Sequence, residues 1–259
     1  MHRLVRRLCV VNCALLVLSL SAQAQQQRTY VLVHGGWSSM AEWNEVETIV
    51  EQSGHRVYLA SLTGLGDRAH LKRPDIDLET HILDVTSTIE VRDLQGIYLV
   101  GHSYAGMVIS GVWDRARDRI EHVVYVDAFV PEEGHSLSDY LVADEDVLNS
   151  NDDIVALAAQ NEGWVPLFGG RLELPEPVLQ PLHTLIDPLV LQNGSLPKDT
   201  KRTYIRAAGN ATSESSPTFE QFAQVIRKDS TWNYLEIQTG HLVQVEDSAG
   251  LARLLLELE

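Results

Sequence analysis

The sequence predicts an α/β fold, in which a mostly parallel six-stranded sheet is flanked by helices and carries an inserted helical lid. Six short runs of apolar and β-branched residues alternate with segments whose apolar residues recur at the helical period. Strict alternation of strand and helix builds a parallel sheet that helices cover on both faces. A chain of 259 residues can bury one such core as a single domain.

The first half of the chain supplies three strands and two helices. The continuous apolar run from Tyr30 to Val33 is typical of a strand that is buried on both faces. Asp77 is placed to cap the second helix, because apolar residues follow it at helical spacing. The predicted strands cover residues 28–33, 56–60 and 97–100, and the predicted helices cover residues 41–52 and 78–89.

The second half continues the alternation and ends in a helix with a leucine-rich face. Before that final helix, the pattern predicts a helix at residues 104–119, strands at 122–126 and 202–205, a helix at 218–227 and a strand at 234–237.

A long segment without the alternation separates the fourth and fifth strands. It covers about residues 132–200, is rich in Leu, Asp and Pro, and is too long for a loop without structure of its own. We expect a lid of short helices over the carboxyl ends of the strands, where open α/β sheets bind ligands. Trp164 lies in this segment and is predicted to bind substrate.

The N-terminal 24 residues have the layout of a secretory signal peptide. Three arginines precede an apolar run, and residues 22–24 offer a cleavage site of small residues. A membrane anchor is the alternative, but the run is shorter than the roughly 20 residues of a spanning helix. We therefore expect a mature domain of residues 25–259 that is periplasmic or secreted, without stable membrane insertion.

The composition excludes several classes of function. Beyond residue 24 the chain carries 17 basic and 36 acidic residues, a net charge of −19, which argues against nucleic acid as a partner. Both cysteines, Cys9 and Cys13, lie in the predicted signal peptide, so the mature domain has no thiolate. No His-x-His or His-Glu-x-x-His spacing occurs. We expect no metal and no cofactor, and a homodimer is possible.

Ser103 is the predicted nucleophile. It lies in Gly101-His102-Ser103-Tyr104-Ala105-Gly106, where a buried strand runs into a sharp turn and a helix. This is the context of a nucleophile elbow, in which a strained turn exposes the serine hydroxyl above the sheet. Ala105 stands where the second glycine of the motif is usual, a difference of one methyl group. The alternative is a serine that only caps the helix.

A second glycine-containing turn follows the first strand. Such a turn can supply a backbone donor to the oxyanion of an acyl-transfer reaction, although it can also be a plain turn. We predict the backbone N–H groups of Gly36 and Tyr104 as the two donors. Gly35 and Trp37 of this turn, and His102 of the elbow, are predicted to contact substrate.

His241 is the predicted base, because it follows the last strand and precedes the C-terminal helix. The acid that would orient it is predicted to be Asp127, at the carboxyl end of the strand that follows the nucleophile helix. The alternative for Asp127 is a turn residue ahead of Pro131. The loop after the fifth strand, with Asn210 and Glu214, is the more usual origin of the acid.

The chain resembles the bacterial esterases related to plant hydroxynitrile lyases and methyl esterases, within the α/β-hydrolase superfamily. The elbow is general to that superfamily, whereas residues 64–71 and 127–131 are more specific to this branch. The resemblance implies a six-stranded sheet, a helical lid, no cofactor and small aromatic or alkyl esters as substrates. The lyases carry a threonine and a lysine where this chain has Gly35 and Leu242, which favours the esterase.

The combined expectation is a serine hydrolase that cleaves small carboxylic esters through an acyl-enzyme intermediate. Asn210 occupies the position where the lyases carry their aspartate, and it cannot offset the charge of an imidazolium. Asp127 is therefore preferred as the acid. A lactonase, or a receptor-like protein that binds a ligand with little turnover, remains as an alternative function.

Overall fold

A computed structural model describes residues 26–141, 150–167, 179–194, 196–209 and 217–259. The predicted signal peptide lies outside these residues and stays a prediction, as does the predicted homodimer. In the described ranges, no helix is both long enough and apolar enough to cross a lipid bilayer.

Six parallel strands form the central sheet, as the sequence predicted. Their spatial order is β2-β1-β3-β4-β7-β8, and every neighbouring pair is parallel. The strands are β1 (Thr29–Val33), β2 (Arg56–Ala60), β3 (Ile97–His102), β4 (Ile120–Val126), β7 (Arg202–Ala207) and β8 (Asn233–Ile237), and a separate pair comprises β5 (Trp164–Pro166) and β6 (Leu179–Pro181).

Helices cover both faces of the sheet. Asp77 caps the second helix as predicted, since its side chain accepts a hydrogen bond from the Thr80 N–H. The described helices are α1 (Asn44–Gln52), α2 (Leu78–Val91), α3 (Ala105–Ala116), α4 (Leu137–Leu141), α5 (Asn151–Ala159), α6 (His183–Ile186), α7 (Pro217–Ile226), α8 (Val243–Glu246) and α9 (Ser248–Glu257).

The core has two layers, one on each side of the sheet. Strand side chains alternate between the faces, so Val31 and Val33 of β1 join α2 and α3 on one face. Tyr30 and Leu32 join α1 and α9 on the other face. The central strand β3 is buried along its whole length. The continuous apolar runs of the sequence follow from this burial on both faces.

The residues between β4 and β7, about 132–200, are called the insert. Its described parts contain α4, α5 and α6 together with the antiparallel pair β5-β6. Helices alone were predicted here, so the strand pair is a correction. Trp164 and Val165 favour an extended chain, and Pro166 and Pro181 stand at its ends, where proline is tolerated in strands.

Candidate active site

The carboxyl ends of three adjacent central strands meet at one edge of the sheet. His102 pairs with Val126 across β3 and β4, and Val126 pairs with Ile205 across β4 and β7. The residues that directly follow these aligned positions are Ser103, Asp127 and Arg206. Parallel pairing therefore brings Ser103 and Arg206 to the same edge of the sheet, although they lie more than a hundred residues apart in the chain.

Ser103 forms the turn between β3 and α3. Its φ of 56° lies in the left-handed region, which is strained for a residue with a side chain. A Cβ atom on Gly106 would lie only 1.9 Å from the Phe129 carbonyl oxygen, so this turn requires glycine there. Ala105 is fully buried, and the extra methyl group is accommodated. Tyr104 occupies the N-cap position of α3 without a side-chain cap bond, and the Ser103 hydroxyl is bonded to His241.

A chain of two hydrogen bonds links Ser103, His241 and Asp127. His241 Nε2 lies 2.9 Å from Ser103 Oγ, and His241 Nδ1 lies 2.7 Å from Asp127 Oδ2. Neutral His241 can donate Nδ1–H to the carboxylate and accept the serine proton at Nε2. The ring of Phe219 stacks on the imidazole at 4.8 Å. The structure thus brings the three predicted side chains into the order that a general base requires.

Backbone hydrogen bonds join Ser103 to the residues on either side of Asp127, and join Asp127 to β7. The Ser103 N–H donates to Val126 O at 3.2 Å, and the Phe129 N–H donates to Ser103 O at 3.2 Å. The Asp127 N–H donates to Ile205 O at 2.8 Å. We call the two bonds of Ser103, to Val126 and Phe129, the β3-β4 clamp, and the bond of Asp127 to Ile205 ties the same edge to β7.

Asp127 is fully buried and has a second charged partner. Its Oδ1 accepts from Arg206 Nη1 at 2.6 Å and from the Ala207 N–H at 3.2 Å. Burial opposes ionisation of this carboxyl, but the hydrogen bond from His241 and the charges of His241 and Arg206 outweigh it and lower the pKa. Asp127 thus has three side-chain hydrogen-bond partners, which a residue that only formed a turn ahead of Pro131 would not require.

His102 has a different place from the one that the sequence suggested. Its ring is 2% exposed, and its Nε2–H donates to the His241 carbonyl oxygen at 2.8 Å. Its Nδ1 accepts from Gln244 Nε2 at 3.3 Å. Burial, aided by the nearby His241, lowers the pKa of His102 to about 3. Both ring nitrogens are occupied by protein groups, so His102 supports the backbone of His241 and has no nitrogen left for a substrate.

The turn after β1 lies directly against the elbow. A Cβ atom on Gly35 would lie 3.3 Å from Ser103 Cβ and 3.1 Å from His102 Nδ1. A Cβ atom on Gly36 would lie 3.3 Å from Tyr104 Cβ. The glycines allow this close approach of the backbone. The two predicted oxyanion donors, on Gly36 and Tyr104, therefore come from segments that touch beside Ser103.

His34 holds the start of the same turn. Its Nδ1 bonds the Gly35 carbonyl oxygen at 2.9 Å, and its Nε2 accepts from the Leu62 N–H at 3.2 Å. Burial lowers the pKa of His34 to about 4. The ring is thus neutral near pH 7, with Nδ1 as its donor, and serves the turn rather than the reaction.

The insert is bonded to the end of this turn through Gln180 of β6. Trp37 has a φ of 51°, and its N–H donates to Gln180 Oε1 at 3.0 Å. The Trp37 indole N–H donates to the Val165 carbonyl oxygen at 2.8 Å. Gln180 is fully buried, and its Nε2 donates to Thr184 Oγ1 at 2.7 Å. The backbone N–H and the indole N–H of Trp37 therefore both donate to the insert. The predicted contact of Trp37 with substrate stays a prediction.

The phenol of Tyr104 points into the core. His81 Nε2–H donates to the Thr63 carbonyl oxygen at 2.9 Å, so its Nδ1 accepts the Tyr104 hydroxyl proton, also at 2.9 Å. Burial lowers the pKa of His81 to about 4 and raises that of Tyr104. The phenol is thereby occupied in the core, and the backbone N–H remains the candidate oxyanion donor of Tyr104.

Trp164 of β5 packs against Gly64 and Lys72. A Cβ atom on Gly64 would lie 2.9 Å from its ring, and the Lys72 ammonium lies 5.1 Å from the ring centre. Its predicted contact with substrate stays a prediction. Asn210 and Glu214, the alternative acids, lie outside the described residues. Within the residues that the structure describes, no group of three or more His, Cys, Asp or Glu side chains is arranged to hold a metal ion.

Sequence reasoning missed Arg206 and Gln180. Arg206 directly follows the apolar pair Tyr204-Ile205 in β7, and an arginine next to such a buried run was a signal for a buried counter-ion, because arginine is rarely buried unpaired. For Gln180 no local signal exists, since its partner Trp37 lies 143 residues away in the chain.

A parallel sheet with a strained serine turn beside an imidazole and a glycine turn defines the class of α/β hydrolases. The model of the alpha/beta hydrolase family matches residues 30–254. The chain belongs to this family.

Curated relatives of this chain include several proteins named esterases. A carbendazim hydrolyzing esterase of Nocardioides sp. is 49% identical over 108 residues, which cover 42% of this chain and 45% of that protein. The polyneuridine aldehyde esterase of Rauvolfia serpentina is 29% identical over 124 residues, which cover 46% of this chain and 45% of that protein. The matched segments thus span less than half the length of these two relatives.

Solved structures share the fold over most of the chain. An extracellular alpha/beta-hydrolase from a Paenibacillus species has a TM-score of 0.69 at 24% identity and covers 89% of this chain and 98% of its own. A pyrethroid hydrolase from Sphingobium faniae has a TM-score of 0.63 at 19% identity, covering 89% and 96%. At these identities the likeness concerns the fold alone.

Proposed function

We propose that this protein is a serine hydrolase that cleaves small carboxylic esters through an acyl-enzyme intermediate. The observation that carries the proposal is the hydrogen-bonded chain from Asp127 through His241 to Ser103, at 2.7 and 2.9 Å. Family membership and the relatives named esterases support ester hydrolysis.

Acylation begins with the attack of Ser103 Oγ on the ester carbonyl carbon. The serine proton passes to His241 Nε2 as the Oγ–C bond forms, and Asp127 holds the resulting imidazolium through Nδ1–H. The backbone N–H groups of Gly36 and Tyr104 donate to the carbonyl oxygen as it gains negative charge. The ester C–O bond then breaks, and the leaving alkoxide takes the proton from Nε2 to depart as an alcohol.

Deacylation uses the same groups with water as the nucleophile. His241 Nε2 removes a proton from water, whose oxygen bonds to the acyl carbon. The bond from that carbon to Ser103 Oγ breaks, and the serine recovers a proton from Nε2. The products are a carboxylic acid and the restored serine hydroxyl, so every proton is accounted for without a cofactor.

Ser103→Ala tests this proposal. We expect kcat for a chromogenic short-chain ester to fall by at least about 10⁴-fold, because the nucleophile is lost. The melting temperature should stay within a few degrees of that of the unchanged protein, since the hydroxyl contributes little to the core. Ser53→Ala, at an exposed position, is the matched control.

Mass spectrometry of the protein quenched during turnover adds a direct readout. One acyl group should be found on Ser103, and none on the Ser103→Ala protein. Ester hydrolysis by Ser103→Ala at a rate similar to that of the control would contradict the proposal. A panel of esters and lactones graded by size would then define the substrate class.

A further inference from the structure

Arg206 is a buried cation with a specific position behind the proposed acid. Its side chain is 7% exposed, and Nη1 lies 2.6 Å from Asp127 Oδ1. The same Nη1 donates to the Ala207 carbonyl oxygen at 2.6 Å. Nη2 lies 3.6 Å from Glu220 Oε2, and the Glu220 side chain is 47% exposed. Asp127 is therefore the closest anion to this guanidinium within the described residues.

The bonds of Arg206 leave one geometry for the carboxylate. Arg206 and the Ala207 N–H both bind Oδ1, so the other oxygen, Oδ2, faces His241 Nδ1. Rotation of the carboxyl group would break two bonds to Oδ1 of a side chain that is fully buried. A buried group held in this way is aligned before the reaction starts, which reduces the cost of reaching the transition state.

The positive charge of Arg206 also acts on protonation. A buried carboxylate with no other counter-ion would attract a proton onto the adjacent imidazole. Arg206 offsets part of that negative charge, so the carboxylate of Asp127 attracts a proton to the pair less strongly. Loss of the Arg206 charge should therefore move the acidic limb of the activity profile to higher pH.

We propose that Arg206 is a positioning residue that aligns the Asp127 carboxylate toward His241 and extends the activity of the enzyme to lower pH. This inference rests on the proposed function. Arg206 touches neither the nucleophile nor the reacting atoms, and acts only through Asp127.

The other charged or titratable groups around His241 do not replace this role. His102 and His34 are buried and neutral near pH 7. Glu246 of α8 is an acidic group, and it accepts the Gly240 N–H at 2.6 Å. Glu220 of α7 lies beyond Arg206 and faces solvent. Among the described groups around His241, Arg206 is thus the cation that opposes the acid.

Arg206→Gln tests the charge. We expect the acidic limb of kcat/KM against pH to move upward by about one unit, since a buried charge several ångströms from the imidazole is removed. At the pH optimum kcat should fall by about tenfold with KM little changed. Arg227→Gln removes an exposed arginine from the end of α7 and should leave both quantities unchanged.

Arg206→Lys separates charge from geometry, and it remains informative if Arg206→Gln does not fold. Lysine keeps the charge but lacks the planar fork, so the acidic limb should stay in place while kcat falls several-fold. An unmoved limb in Arg206→Gln, or an unchanged kcat in Arg206→Lys, would overturn the inference. These outcomes are distinct from failure of the proposed function, in which ester hydrolysis by the unchanged protein would not depend on Ser103.

Discussion

Asp127 is the residue on which the proposed mechanism differs most from a simple extrapolation of the family pattern. It directly follows β4, its φ is 40°, and its side chain bonds His241 Nδ1. We expect Asp127→Asn to lower kcat by about 10³- to 10⁴-fold, because an amide cannot offset the imidazolium charge. Steady-state kinetics with a small ester would measure this.

Two variants in the later loop provide the comparison for Asp127→Asn. Asn210→Ala and Glu214→Gln should keep kcat within about threefold of the unchanged protein, since neither is needed if Asp127 serves as the acid. A loss of several orders of magnitude in Glu214→Gln, with Asp127→Asn nearly unaffected, would transfer the role to the later loop.

Single residues were predictable where a local motif marks them. Ser103 stands in a strand-turn-helix motif and His241 directly after the last strand, so their placement could be expected from the sequence. The partners of Asp127 could not, because Arg206 and Ala207 lie 79 and 80 residues away. The place of His102 was misjudged for the same reason, since its partner Gln244 lies 142 residues away.

At the scale of elements, β6 of the insert is bonded to the turn that carries a proposed oxyanion donor. Gln180→Leu removes the side-chain oxygen to which the part-buried Trp37 N–H donates, and with it the hydrogen bond between β6 and this turn. We expect kcat to fall by about tenfold with a smaller change in KM, because the Gly36 donor acts mainly in the transition state. Kinetics on an activated ester and on a less reactive alkyl ester would measure the effect.

Gln160→Leu is the matched control for Gln180→Leu, because it makes the same change at an exposed position of the insert. The control should behave like the unchanged protein. A change confined to KM in Gln180→Leu would indicate that β6 shapes the substrate pocket and does not hold the turn.

The elements of the sheet were predictable because each is several residues long and differs in period from its neighbours. The pair β5-β6 was not, because each strand has three residues and their pairing depends on partners 13 to 17 residues apart in the chain. So short a strand carries no alternation of its own, and only its partner identifies it.

For the molecule as a whole, buried histidines link stability to pH, and four of the five in the described residues have the largest decreases in pKa. Burial lowers the pKa of His34, His81 and His122 to about 4 and that of His102 to about 3. An unfolded histidine takes up its proton near pH 6.5. As pH falls from about 6.5 toward 4, the unfolded state therefore binds protons that the folded state excludes, and stability decreases.

The free energy of unfolding should fall steeply as the pH is lowered through this window. Each such histidine costs on the order of 1.4 kcal/mol per pH unit within this window, so four cost on the order of 5 kcal/mol per unit. The melting temperature should drop markedly between pH 6.5 and 5, as measured by differential scanning calorimetry. His122→Gln, at the opposite end of β4 from the active site, should reduce the slope by about a quarter. A melting temperature that stays constant to pH 5 would contradict the expectation.

The β3-β4 clamp has a consequence for how the protein loses activity. Its amide groups follow the carboxyl ends of the central strands β3 and β4, and central strands open only at a free energy close to that of global unfolding. A local fluctuation of a loop therefore cannot separate Ser103 from Asp127. The lifetime of the proposed catalytic geometry on heating is then the lifetime of the folded state itself, governed by the rate constant of unfolding.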